Sequence, residues 1–341
     1  MNASTAGLQV GRCLLFLADV TEAGFAKTAF GLRDWAGERC VGELRLPGAS
    51  VSTGLPQLTP AQAVAQGAQA LVIGVAAPGG GIPAIWLPTL QEALAAGLDI
   101  VSGMHVRLDS LAPLAAAAAR HGRRLIDVRT PPAAIAIASG LPRSGRRLLT
   151  VGTDCALGKK YTALAISRGL RARGVDVDFR ATGQTGIMIA GAGIPIDAVV
   201  SDFVAGAAEM LSPAADPAHL DVIEGQGSLL HPAFAGVSLG LLHGSQPDMF
   251  VLCHDPARSH LLGYAQVALP SIEDVVALTI ALGRVTNPAI RCVGVALNTG
   301  ALDGAEAEAA IAALAARLPY AVADPMRGGP QFERLLDACC V

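Results

Sequence analysis

Two hydrophobic patterns alternate along the first half of the chain: short continuous apolar runs, and longer segments in which apolar residues recur at helical spacing. The continuous runs predict buried strands and the periodic segments predict helices. Strands are predicted within 13–18, 40–48, 70–81, 99–108 and 123–129, and helices within 23–35, 60–67, 87–96 and 110–121. Strands that alternate with helices favour βαβ units and a mostly parallel sheet.

The alternation resumes after a proline- and glycine-bearing segment, 130–147, which predicts a domain boundary. Beyond it, strands are expected from 148 and at 176–182, 219–223, 247–253, 290–297 and 321–323, with helices after 160 and at 196–210, 271–282, 303–317 and 330–339. The sequence therefore predicts an α/β protein. Its parts are a Rossmann-like parallel-sheet domain at 1–145 and a P-loop NTPase-like domain with a mostly parallel sheet at 146–341.

Composition narrows the function classes. The net charge is −3, so no basic field favours nucleic acid. Seven cysteines lack CxxC spacing, which favours a reducing, cytoplasmic location over a disulfide framework. A long uncharged stretch, 225–247, contains glutamine, histidine and proline, so no membrane association is expected. Alanine-rich helices leave apolar surface for a homo-oligomer, and the expected partners are small-molecule substrates.

A glycine-bounded loop between a strand and a helix is the main candidate for chemistry. Such a loop converges backbone N–H groups and the positive end of a helix on an anion. The residues predicted to bind the cofactor are Gly152, Thr153, Asp154, Cys155, Ala156, Leu157, Gly158, Lys159, Lys160, Tyr161 and Thr162 of this loop and helix. Cys155 is interpreted as a small loop filler, since no histidine is near it in sequence.

The loop departs in two ways from the standard phosphate-binding sequence, and both departures affect the prediction. Five residues, not four, separate Gly152 from Gly158, and Lys160 stands where Ser or Thr would hold Mg²⁺. The chain has three lysines, and two of them are adjacent here. A second ammonium group neutralises another phosphate but cannot bind a cation. The loop is therefore expected to bind phosphates rather than to run metal-assisted phosphoryl transfer, and no metal site is predicted. The alternative is a glycine-rich turn that binds nothing.

Polar side chains in the loops after the predicted strands are expected to face one crevice, because ligands of open α/β sheets bind at the carboxyl ends of strands. Glu224 or His231 is the candidate general base, although each could instead be structural. Asn298 could pair with an adenine edge. The residues expected to bind the substrate are Arg180, Gln184, His254 and Arg258. In the first domain, the glycine loop 77–81 could touch a ligand or simply connect a strand to a helix.

Several long motifs resemble a bacterial family of D-glutamate N-acetyltransferases that was long classed as of unknown function. They are LRLPG, LVIGVA, VGTDCALGKKYTALA, DFRATGQTG, DVIEGQGSLLHPAFAGVSLGLLHG and CVGVALNT, and the likeness runs from about Leu14 to Met326. The resemblance implies a Rossmann-like half joined to a phosphate-loop half, and acetyl-CoA as co-substrate. The second half also resembles dethiobiotin synthetase, whose loop has the form GTDTxxGKT; Lys160 replaces the metal-binding threonine.

Three functions follow as hypotheses. The first is an N-acetyltransferase that moves acetyl from acetyl-CoA to the amino group of D-glutamate in D-amino-acid catabolism. The alternative is an ATP-dependent ligase or kinase acting on a small carboxylic acid. It would need ATP and Mg²⁺, with Thr162 or Asp154 substituting for the lost metal ligand. The third is a regulator that binds coenzyme A or a nucleotide without turnover.

Overall fold

A computed structural model describes residues 10–76 and 80–340, which form parallel sheets connected by helices. The predicted α/β class is confirmed. Contacts within the chain divide it into two compact units. Unit 1 contains the residues up to 131 together with 183–195, and unit 2 contains 132–182 and 196 onwards. Residues 77–79, part of the glycine loop that could either touch a ligand or simply connect a strand to a helix, fall outside the described residues.

Unit 1 is built on a five-stranded parallel sheet with the order β2-β1-β3-β4-β5. Its strands are β1 (Cys13–Ala18), β2 (Cys40–Arg45), β3 (Ala70–Ile73), β4 (Asp99–Ser102) and β5 (Leu125–Asp127). Its first four helices are α1 (Lys27–Ala36), α2 (Pro60–Ala65), α3 (Leu87–Ala95) and α4 (Ala112–His121). Every residue of β1 is buried, because β1 lies inside the sheet, and this explains its continuous apolar sequence.

A short helix from the second half of the sequence belongs to unit 1. In that unit, helix α6 (Gln184–Ala190) packs on α1, and the buried hydroxyl oxygens of Thr28 and Thr185 lie 2.9 Å apart. Arg39 donates to the carbonyl oxygens of Met188 and Ile189, which end the helix. The compact units thus divide at 131/132 and again around 183–195, whereas the sequence places one boundary after 145. Contacts between distant segments define the units, and local periodicity does not encode those contacts.

Unit 2 contains a six-stranded parallel sheet with the order β13-β12-β9-β6-β8-β7. Its strands are β6 (Arg146–Gly152), β7 (Val177–Arg180), β8 (Leu220–Ile223), β9 (Met249–His254), β12 (Arg291–Leu297) and β13 (Ala321–Ala323). Its helices are α5 (Lys159–Ala172), α7 (Val204–Leu211), α8 (Ala235–Ser245), α9 (Ile272–Gly283), α10 (Gly304–Arg317) and α11 (Gly329–Cys340). A small antiparallel hairpin, β10 (His260–Leu261) and β11 (Tyr264–Ala268), follows β9.

Four elements were absent from the sequence-based expectation or differ from it. Helices α6 and α8 and the β10–β11 hairpin were not predicted. The helix expected at 196–210 begins only at Val204, after two turns of 3-10 helix. Helix α8 is rich in glycine, which lowers helix propensity, but it packs closely on α7: a Cβ at Gly244 would lie 2.0 Å from the carbonyl oxygen of Ala205. Within the described residues, every helix is too short or too polar to cross a bilayer.

Candidate active site

The loop between β6 and α5 lies at the switch point of the unit 2 sheet. Strand β6 pairs with β8 on one side and with β9 on the other, so its carboxyl end faces the crevice where such sheets bind ligands. Gly158 has a φ of +99°, a conformation that glycine adopts at no steric cost, and α5 starts at the next residue. The backbone N–H of Thr153 donates to the carbonyl of Cys253 and anchors the loop to β9.

The two adjacent lysines of the loop have different environments. Lys159 is buried, and its Nζ donates to the carbonyl oxygen of Asp154 at 2.7 Å. Burial lowers the pKa of Lys159, while the neighbouring groups of Cys155, Cys253 and Asp154 oppose this shift. Lys160 is only partly buried, and its Nζ lies 5.2 Å from the centre of the Tyr161 ring. The loop thus carries one internal and one peripheral ammonium group.

Asp154 organises the loop and the segment that follows β9. Its carboxylate is fully buried and accepts a hydrogen bond from the Cys155 N–H through Oδ1. Oδ2 accepts from Arg258 Nη1 at 2.7 Å and from the Leu262 N–H at 2.8 Å. Arg258 Nη1 also donates to the carbonyl oxygen of Cys155. The pair therefore fastens the β10–β11 hairpin to the loop.

Glu224 follows β8 and is buried next to the loop. The N–H of Thr182 donates to Glu224 Oε2 at 3.0 Å, and the Thr182 hydroxyl donates to the Glu224 carbonyl oxygen. At Gly225 a Cβ would lie 1.6 Å from the carbonyl oxygen of Thr150 and 3.2 Å from Lys159 Cδ. Because glycine allows this close approach, the Gly225 backbone, directly after Glu224, lies against the Lys159 side chain.

His231 approaches the loop from the segment between β8 and α8. Its ring is buried, stacks on Phe234 with centroids 4.7 Å apart, and meets the edge of Tyr264 at 5.0 Å. Nδ1 accepts the Ala233 N–H at 3.1 Å. Nε2 lies 3.8 Å from Asp154 Oδ1 and has no hydrogen-bond partner among the described residues. A ring nitrogen of His231, a carboxylate oxygen of Asp154 and Cys155 Sγ all lie within 4.8 Å of one another, so Cys155 does have a histidine beside it.

Two further predicted residues follow the neighbouring strands on the same side of unit 2. His254 Nδ1 lies 3.1 Å from the Thr153 hydroxyl, and burial lowers the pKa of His254. Asn298 is exposed after β12; its N–H donates to the His254 carbonyl, and its Oδ1 accepts from the Gly300 N–H. The loop 152–162, Glu224, His231, His254, Arg258 and Asn298 thus all lie at the carboxyl end of this sheet.

The structure does not bring Arg180 into this group, and it assigns Gln184 to the other compact unit. Arg180 Nε donates to Asp221 at 2.6 Å and Nη2 lies 3.3 Å from Asp178, so the guanidinium points back along the sheet towards the amino ends of the strands. Gln184 lies in unit 1, where its Oε1 accepts from Arg129. Position in the sequence placed both residues after strand β7, but the direction of a side chain and the packing of α6 depend on distant partners.

Tyr264 and the backbone of Leu262 are parts of the site that the sequence did not indicate. Both lie in the hairpin, which carries no motif and alternates too briefly to be identified from sequence. A possible metal centre at Asp154, Cys155 and His231 is opposed by the guanidinium of Arg258, which already binds the carboxylate.

Comparison with protein families gives two matches that together cover most of the chain. Residues 44–131 match a Rossmann-like domain of unknown function, DUF1611_N, and residues 136–336 match a P-loop domain of unknown function, DUF1611_C. A crystal structure of a DUF1611 family protein from Anabaena variabilis has a TM-score of 0.85 and 35% identity, and covers 96% of this chain and 98% of its own.

Two curated relatives are similar over nearly their whole length. A D-glutamate N-acetyltransferase from a Pseudoalteromonas species is 46% identical over 316 residues, which is 93% of this chain and 95% of the relative. A D-glutamate N-acetyltransferase from Tritonibacter scottomollicae is 45% identical over 325 residues, 95% of this chain and 97% of the relative.

Proposed function

Because this chain belongs to the DUF1611 family, in which a Rossmann-like domain precedes a P-loop domain, we propose that it is an N-acetyltransferase that transfers acetyl from acetyl-CoA to the amino group of D-glutamate. The similarity to the two curated relatives, at 45–46% identity over nearly full length, supports the acyltransferase class and the acceptor. Acetyl-CoA as the donor, the site residues and a cytoplasmic homo-oligomer are parts of the same proposal.

The observation that carries the donor assignment is the pair Lys159 and Lys160 at the start of α5. Coenzyme A bears a diphosphate and a 3′-phosphate, and a helix N-terminus with two ammonium groups suits such a polyanion. The groups that could replace the lost metal-binding hydroxyl are already engaged. The Thr162 hydroxyl is buried against the Cys253 thiol, and the Asp154 carboxylate is bound by Arg258. This favours phosphate binding over Mg²⁺-dependent phosphoryl transfer.

In the proposed reaction, Glu224 removes a proton from the ammonium group of D-glutamate, and the free amine attacks the thioester carbonyl. The tetrahedral intermediate collapses and the C–S bond breaks. The attacking nitrogen gives its second proton to the departing sulfur, so the products are the amide and the coenzyme A thiol. Glu224 is preferred to His231 as the base, because His231 Nδ1 already accepts a hydrogen bond. Backbone N–H groups of the glycine loops would hold the developing oxyanion. Arg258 and His254 lie beside the loop and are proposed to face the carboxylates of the acceptor, with Asn298 at the adenine.

Mass spectrometry of the purified protein incubated with acetyl-CoA and D-glutamate tests this function. Parallel reactions contain L-glutamate as acceptor, or ATP and Mg²⁺ in place of acetyl-CoA. We expect N-acetylglutamate from the D-isomer without ATP. Consumption of ATP without acetylation would instead establish the ligase or kinase alternative, and binding of coenzyme A without any product would establish the regulator.

A further inference from the structure

His231 Nε2 is a buried polar atom with no hydrogen-bond partner among the residues that the structure describes. The residue is 1% exposed, and Phe234 and Tyr264 fix the plane of the ring from two directions. Buried polar atoms in proteins are nearly always hydrogen-bonded, so an orphan beside a ligand-binding loop calls for a partner that binds there.

The other ring nitrogen determines which proton His231 carries. Nδ1 faces the Ala233 N–H, which is a donor only, so Nδ1 must be an unprotonated acceptor. In the neutral ring the proton is then on Nε2. An Nε2–H group cannot take a proton from a substrate and cannot ligate a metal. It can only donate a hydrogen bond.

Asp154 does not use this donor. The distance from Nε2 to Asp154 Oδ1 is 3.8 Å, beyond a hydrogen bond, and that carboxylate already accepts from the Cys155 N–H, from Arg258 and from the Leu262 N–H. Arg258 binds this carboxylate, and Lys159 Nζ donates to the backbone carbonyl oxygen of the same residue, so two cations lie close to Asp154. The N-terminus of α5, a helix of 14 residues, adds its positive end.

We infer that His231, as a neutral Nε2–H donor, forms an anion subsite with Lys159 and the N-terminus of α5, and that this subsite binds an anionic oxygen of a substrate. The ligand is either a phosphate of the acetyl donor or a carboxylate of the acceptor. The choice of these two sources rests on the proposed function. The inference assigns His231 to anion binding rather than to proton removal.

Alkylation of Cys155 reports occupancy of the subsite without any need for turnover, because Sγ lies within 4.8 Å of the His231 and Asp154 atoms. Iodoacetamide labelling followed by peptide mass mapping is run with inorganic phosphate or pyrophosphate in one arm and with glutarate in the other. Exposed Cys340 is the internal control. We expect one of the two anions to slow alkylation of Cys155 and leave Cys340 unchanged. Protection by phosphate identifies the donor as the source, and protection by glutarate identifies the acceptor.

Two substitutions separate a hydrogen-bond donor from a base. His231→Gln keeps an N–H donor but cannot act as a base at neutral pH, whereas His231→Ala removes the donor. We expect His231→Ala to weaken the protecting anion about tenfold or more, as for loss of a hydrogen bond to a charged group, and His231→Gln to restore most of the protection. Equal protection in the wild type and in His231→Ala, or no protection by either anion, would overturn the subsite.

Long-range ¹H–¹⁵N NMR of the wild-type protein tests the tautomer directly. The His231 signal, identified by its loss in His231→Gln, should show a protonated Nε2 and an unprotonated Nδ1 at neutral pH. A protonated Nδ1 would contradict the inference. If acetyl transfer occurs in a protein whose His231 is protonated at Nδ1, the proposed function stands and the subsite is rejected. If an anion protects Cys155 but no acetyl transfer occurs, the subsite stands and the proposed function is rejected.

Discussion

The guanidinium of Arg258 lies 2.7 Å from the buried carboxylate of Asp154, although the two residues are 104 positions apart in the chain. Asp154 has no exposed surface, while the Arg258 side chain is 18% exposed. A buried carboxylate that loses its cation keeps an uncompensated charge. The pair therefore determines both the shape of the loop and the attachment of the hairpin to it.

Removal of this cation should destabilise the protein. We expect Arg258→Ala to lower the free energy of unfolding by about 3 kcal/mol, at the lower end of the range for broken buried pairs, since two backbone N–H groups still bind Asp154. Urea denaturation measures the change. The matched control is Arg107→Ala, which breaks an exposed pair with Asp109 and should leave stability nearly unchanged. Equal stability of the two variants would show that the pair contributes little.

Lys160 should affect donor binding rather than acceptor binding. We expect Lys160→Ala to raise the Michaelis constant for acetyl-CoA by about tenfold, consistent with loss of one charged contact to a phosphate, and to leave that for D-glutamate unchanged. Lys27→Ala is the control, because this third lysine lies in helix α1 of unit 1. An unchanged Michaelis constant for acetyl-CoA in Lys160→Ala would contradict the proposed binding of the phosphates by Lys160.

Replacement of the proposed base should slow the chemical step. Glu224→Gln is nearly isosteric, and its amide oxygen can still accept the Thr182 N–H, so folding should be retained. We expect kcat to fall by about 10² to 10⁴, the usual contribution of a general base, with little change in either Michaelis constant. Steady-state kinetics with mass detection provide the measurement. A variant with normal kcat would assign proton removal to another group.

His219, which lies just before β8 and contacts two aspartates, should make the stability of the protein depend on pH. Burial alone would lower the pKa of His219, but its contacts with Asp176 and Asp221 outweigh burial and raise it. A pKa raised by folding stabilises the protein fully below the unfolded value of about 6.5, and this contribution is lost as the pH rises through the folded pKa.

We therefore expect His219→Gln to lose more unfolding free energy at pH 5.5 than at pH 9, measured by denaturant titration at both values. His260→Gln is a suitable control, because His260 is exposed and its ring contacts the Ser259 hydroxyl rather than a carboxylate. A pH-independent difference between the wild type and His219→Gln would exclude this linkage.

The sequence determined the alternation of strands and helices and the loop from Gly152 to Lys160. Both are local properties, since the spacing of apolar residues and the backbone demands of a glycine turn are written in neighbouring positions. The motifs also indicated the family and its acetyltransferase activity. The carboxyl-end rule placed Glu224, His254, Arg258 and Asn298 near the loop, because parallel strands end at the same edge of a sheet.

Only the tertiary structure decided which of these side chains meet. Arg180 turns back to Asp221 on the neighbouring strand, and Gln184 joins unit 1 through helix α6. Strand order and register bring Arg258 to Asp154 and His231 to Cys155, and no local pattern encodes pairs so distant in sequence. The same reason explains why His231 Nε2 has no hydrogen-bond partner among the described residues. The surroundings of the ring are set by the packing of segments that are distant in sequence.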